Sequence, residues 1–158
     1  MVSPFKLPRS VLVVIHTPDL QVVLLERFGK PGFWQSVTGS QHAGESLEAT
    51  ARREANEETG LDTSRGVFLD WRLRNEYQIF SEWRWRYAPG VTRNTEHVFS
   101  WQVDGVRDIV ISPKEHSGYL WASHQEAASR CFSWSNRDAL LFLPKMLQVL
   151  AKGGKIPK

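Results

Sequence analysis

The chain holds one cysteine, Cys131, among 158 residues. An intrachain disulfide is excluded, and so is a zinc site built from several thiolates. Long apolar runs are missing as well. The run near the N-terminus covers only Val11 to Ile15. A membrane span needs about 20 apolar residues, and a signal-peptide core is also longer than this. No membrane partner is therefore expected, and the expected compartment is the cytoplasm. Repeats, low-complexity stretches and dividing linkers are absent, so residues 1–158 read as one domain with a basic tail over about 152–158. Charge of one sign is scarce: the net charge is +3, with a pI near 9.2. That excess is too small to indicate nucleic acid, but it suits a small polyanion. What is present is an ordinary globular composition, 41% hydrophobic and 23% charged, with seven tryptophans that serve as core or as flat ligand surfaces.

Periodicity divides the chain into strands with few helices. SVLVVIH (10–16) and QVVLLER (21–27) read as strands joined by the turn Thr17-Pro18-Asp19. FWQSVTG (33–39) is a short strand ending in glycine. The stretch 66–111 reads as β-rich, including EYQIFSEWRWRY and DIVIS, and HSGYLWAS (116–123) is a further strand. A helix is expected from Ser46 to Thr59, capped by Ser46 and stopped by Gly60. Leu47, Ala51 and Ala55 give it a narrow apolar stripe. A second helix is expected over 133–152, kinked or interrupted by Pro144. This order implies a mixed sheet covered by helices.

The first helix is acidic where it should not be. Glu54, Glu57 and Glu58 share one face at i, i+3 and i+4. Like charges at this spacing cost a few tenths of a kcal/mol per pair. Glu57 and Glu58 also stand at the C-terminal end, where the helix dipole disfavours anions by roughly 0.3–1 kcal/mol each. A bare helix selected for stability would carry cations there. A solvated acidic face is the ordinary reading of such a run. Oxygen ligands on one rigid face also suit Mg²⁺ shared with substrate phosphates.

The full spacing favours the cation. Gly39 is followed by five residues and Glu45, then seven residues, then Arg53-Glu54-Ala55-Asn56-Glu57-Glu58-Thr59-Gly60-Leu61. This resembles the signature of the Nudix hydrolases, with the small Ala55 where that signature has a bulky aliphatic residue. The resemblance implies an α/β fold, an α/β/α sandwich with a mixed sheet and a loop–helix–loop motif. In that motif Gly39 turns the chain, Gly60 ends the helix and Arg53 holds a glutamate. Glu45 is structural or lies near the site. Glu54, Glu57 and Glu58 face the metal, joined by Glu115 of the loop SPKEH. The general base is a signature glutamate, Glu57 or Glu58, or else Glu115, which His116 could orient. The implied cofactor is Mg²⁺, with Mn²⁺ as a possible substitute, and the implied reaction is hydrolysis of a phosphoanhydride.

Further stretches, RYAPGVTRNTE (86–96) above all, resemble the dihydroneopterin triphosphate diphosphatases of bacterial folate synthesis. That resemblance implies a pterin triphosphate substrate. Its phosphates would meet Lys6 and Arg27, and its ring would meet Thr38, Tyr77, Gln78, Ile79, Phe80 and Ser133. Arg93 is read as binding phosphate or pairing with Glu96, and Trp34 and Trp134 as packing. A nucleoside triphosphate such as dATP is the alternative substrate. A non-catalytic ligand-binding module is the alternative class. The sequence is silent on oligomeric state.

Overall fold

The computed structural model describes residues 4–151, so the basic tail expected at 152–158 lies outside the described residues. Eleven segments follow in order: β1 (Arg9–His16), β2 (Gln21–Arg27), β3 (Trp34–Gln35), β4 (Val37–Ser40), α1 (Leu47–Thr59), β5 (Val67–Gln78), a 3₁₀ turn (Ser81–Arg86), β6 (Arg93–Gln102), β7 (His116–Ser123), α2 (His124–Arg130) and α3 (Trp134–Ala151). The strands form one seven-stranded mixed sheet. β1 runs parallel to β6 and antiparallel to β2 and β4.

Alternation along β1 builds two cores. Val11, Val13 and Ile15 face α1 and pack on Ala51 and Ala55. Leu12 and Val14 face the other way, onto Ala127 and Ala128 of α2 and Leu140 and Leu143 of α3. Helices thus cover both faces, giving the expected α/β/α sandwich. The small residues of α1 let its backbone approach the sheet. At its N-terminus Ser46 Oγ accepts from the Ala49 N–H at 3.1 Å, worth about 1 kcal/mol. Gly60 closes it in the left-handed conformation, φ 73°, its N–H donating to Asn56 O at 2.8 Å.

Four expectations need correction, and one element was not foreseen. Gly39 does not turn the chain. It lies inside β4, and a Cβ there would fall 2.0 Å from Cδ of Glu54, so the glycine makes room for a carboxylate. The stretch EYQIFSEWRWRY leaves the sheet at Gln78 and coils into the 3₁₀ turn. Its alternation has no inward row to bury, since Trp85 is 74% exposed and Trp83 packs under cations. DIVIS forms no strand: it runs as a loop whose Val110 N–H donates to Thr59 O, with Ile109 in the core. Of the kink or interruption expected at Pro144, the interruption does not occur: α3 continues through it. The seven residues of α2 were not expected at all, being too short to display a helical period.

Candidate active site

Arg53 organises the acidic end of α1. Its Nε and Nη2 donate to the two oxygens of Glu45 at 2.8 and 3.0 Å. Nη2 also donates to Ser40 O at 3.0 Å, and Nη1 to Glu54 at 2.8 Å and to Glu57 at 3.3 Å. Glu45 additionally accepts from the Thr50 hydroxyl at 2.7 Å and the His42 N–H at 3.1 Å. These bonds, Arg53 first, hold the Glu45 carboxyl down to about 2. Glu45 thus anchors Arg53, which in turn donates to Glu54.

The three helix glutamates share a face but not an environment. The Glu57 side chain is 54% exposed. Glu54 is mostly covered, and burial pushes its carboxyl up to about 7 against the pull of Arg53. Glu58 is 2% exposed. Burial raises its carboxyl well above the ordinary range, and the neighbouring charges of Glu54 and Glu115 add to this. His116, read as able to orient Glu115, places Nε2 3.3 Å from Oε1 of Glu58. Desolvation first, then Arg27, lowers the imidazole to about 4.

Glu58 Oε2 and His116 Nδ1 are buried without a hydrogen-bond partner. Glu58, Glu115 and His116 offer ligand atoms that all lie within 4.8 Å of one another. A buried oxygen left without a donor costs about 1–3 kcal/mol or more. The neighbouring carboxylate charges that help raise the proton affinity of Glu54 and Glu58 would attract a cation in the same way. The residues therefore fit a divalent ion.

Beside this cluster a cleft of about 390 Å³ opens. Lys6, Arg27 and Thr38 line it, and so do Tyr77, Gln78, Ile79, Phe80 and Ser133. All eight expected substrate-contact residues thus meet in one cavity, although they come from five separate segments of the chain. At one end Arg86 joins Lys6 and Arg27. Burial first, then Arg86, lowers the affinity of both Lys6 and Arg27 for their protons. The charges of Glu54 and Glu115 reach Lys6, and those of Glu58 and Glu115 reach Arg27. Three crowded cations next to buried carboxylates make a place where a polyanion and a metal ion can meet.

Several lining residues escaped the sequence reading. Trp83 holds the Arg27 guanidinium at 4.6 Å from its ring centroid, with Lys30 Nζ at 5.4 Å. Trp134, expected to pack, is 45% exposed and lines the cleft. Trp34 does pack against the core. Arg93 does not pair with Glu96: three residues apart on a strand, they point to opposite faces, Arg93 outward and Glu96 into the cleft wall. Glu96 and Asn94 carried a signal that alternation could have found, because they occupy inward positions of a strand whose next inward residue is Val98.

The chain belongs to the NUDIX domain family, whose model matches residues 6–142. Within that family it is 44% identical over 139 residues to the dihydroneopterin triphosphate diphosphatase of Escherichia coli, spanning 86% of this chain and 91% of the relative. It is 36% identical over 143 residues to the dihydroneopterin triphosphate diphosphatase of Haemophilus influenzae, spanning 89% of each. The fold superposes on the E. coli dihydroneopterin triphosphate pyrophosphohydrolase with a TM-score of 0.81 at 43% identity, covering 87% of this chain and 95% of that one. Among the described residues no helix is long and apolar enough to cross a membrane.

Proposed function

We propose that this chain, acting as one domain in the cytoplasm, hydrolyses 7,8-dihydroneopterin triphosphate to the monophosphate and pyrophosphate with the help of Mg²⁺. One observation carries the reading. A single cleft carries three cations and a wall able to take a flat ring, and the carboxylate cluster lies close enough for its charges to reach Lys6 and Arg27. The relatives' names supply the ring.

Lys6, Arg27 and Arg86 hold the triphosphate. Their mutual repulsion is relieved when the anion binds, so the cost of crowding them becomes affinity for phosphate. Glu54, Glu58 and Glu115, with Glu57 from the solvent side, hold the metal ion; Mn²⁺ fits the same oxygen donors. Such an ion supplies charge neutralisation and an acidified water. Glu57 or Glu115, both exposed, would accept the proton of the attacking water, while His116 and Arg53 keep Glu58 and Glu54 in position. Water oxygen bonds to phosphorus, the P–O bond between the α and β phosphates breaks, and the departing half carries away the electron pair.

The test is pyrophosphate release from 7,8-dihydroneopterin triphosphate, in Mg²⁺ and in EDTA, beside dATP. The expected result is metal-dependent release, a pterin monophosphate as the other product, and the larger kcat/KM on the pterin. Preference for dATP would replace the substrate and keep the chemistry. No cleavage of either would turn the cleft into a binding module.

A further inference from the structure

The cleft wall contains a carboxylate that phosphoanhydride chemistry does not use. On β6 the inward row runs from Val98 in the core to Glu96 and Asn94 at the cleft. Ser10 of β1 lies beside Glu96 in the parallel register, and Tyr77 of β5 lies opposite Asn94. Where the sheet could have continued an apolar surface, it places a patch of polar groups.

Glu96 is 4% exposed. Its Oε1 accepts from the Ser135 hydroxyl at 2.8 Å, and the Tyr77 hydroxyl lies near enough to favour the ionised carboxyl. Among the described residues no Lys or Arg pairs with it, and burial pushes it up to about 7. A buried carboxyl without a cation is costly to keep. Two hydroxyl donors alone do not explain it, because a glutamine carbonyl would accept from them with no charge to desolvate. An ionised carboxylate has about four acceptor sites, so about two remain for a ligand. Asn94 adds another. Its Nδ2 donates to Ser10 Oγ at 2.7 Å and to Tyr77 Oη at 2.9 Å. Its Oδ1 is buried with no partner.

We propose that Glu96 reads the pyrimidine edge of the pterin, its carboxylate accepting from the ring N3–H and 2-amino group, with Asn94 Oδ1 as a further acceptor. This rests on the pterin reading above. A 2-amino-4-oxopyrimidine presents two adjoining donors at the spacing of two carboxylate oxygens. Adenine presents a donor beside an acceptor at its corresponding edge and does not match. Ser135 and Tyr77 aim the carboxylate. A wall built to accept hydrogen bonds rejects ligands that lack the donors, because its own buried oxygens are then left unpaired.

The experiment compares wild type with Glu96→Gln, which keeps the size and one acceptor. On 7,8-dihydroneopterin triphosphate kcat/KM should fall about 100-fold, while on dATP it should change less than about threefold. An equal loss on both substrates makes Glu96 a structural strut and overturns the proposal. Unchanged pterin turnover overturns it too. A second measurement needs neither turnover nor the variant: equilibrium binding of neopterin, read by its fluorescence, against the lumazine that carries oxygen in place of the 2-amino group. Wild type should bind the pterin at least tenfold more tightly, and equal binding would overturn the proposal. Selective pterin binding without pterin triphosphate cleavage would keep the role of Glu96 and discard the proposed reaction.

Discussion

Glu58 and Glu96 are both almost fully buried, and burial raises the carboxyl of both. Their neighbours differ. Glu58 stands among other carboxylates, with one oxygen against His116 and the other unpartnered. Glu96 stands among hydroxyls, with no second charge beside it. They project from elements on opposite sides of β1, one from α1 and one from the row of β6 that leads to α3. Burial alone therefore does not assign a role to an acid. Carboxylates that repel each other call for a cation, whereas a lone carboxylate held by hydroxyls calls for neutral hydrogen-bond donors.

Exchanging Glu58 for glutamine should break this contrast most severely. Glu58→Gln removes the charge that the cluster offers a metal, and turnover should fall about 10³-fold or more. Circular dichroism and Tm should stay near wild type, since a neutral side chain relieves the repulsion from Glu54 and Glu115. Wild-type turnover in that variant would remove Glu58 from the mechanism.

A smaller effect comes from the anchor behind the acidic end. Glu45 is bound so tightly to Arg53 that its carboxyl is held down to about 2. The stabilisation this provides is complete above the ordinary carboxylate range near pH 4.5 and is lost as pH falls through about 2. Glu45→Gln should cost about 2 kcal/mol at neutral pH, because Arg53 keeps Ser40, Glu54 and Glu57. The deficit relative to wild type should shrink as pH falls from about 4.5 toward 2. Thermal melts across that window read it, and a deficit constant with pH would mean the pair is not what holds Arg53.

The smallest expected change lies between the two regions. Trp83→Ala removes the aromatic face under Arg27, worth about 0.5–1 kcal/mol. KM for the triphosphate should rise roughly two- to fivefold with kcat little changed, since Trp83 reaches the reaction only through Arg27. A fall in kcat at constant KM would place Trp83 closer to the chemistry.

Local patterns were legible wherever one element carried the whole message. Ser46 and Gly60 announce α1 by cap chemistry, and the continuous apolar run of β1 announces a buried strand. Legibility failed where a residue's purpose lay on another element. Gly39 reads as a turn, yet it is glycine because Glu54 occupies the space of a Cβ. Trp83 and Trp85 read as a strand, and Trp83 is instead a platform for cations from β2 and the following loop.

The sequence by itself determined the acidic helix, its caps and the signature spacing, because an α-helix converts separations of three and four residues directly into a shared face. The order of strands and helices also implied a mixed sheet covered by helices, and the resemblance carried by the signature implied the sandwich. Only the tertiary structure decided which acids are buried, which cations crowd beside them, and that Glu96 reaches the same cleft. Desolvation and charge coupling depend on distances between segments far apart in the chain, and those distances exist only once β1, β6 and the two helix layers have packed together.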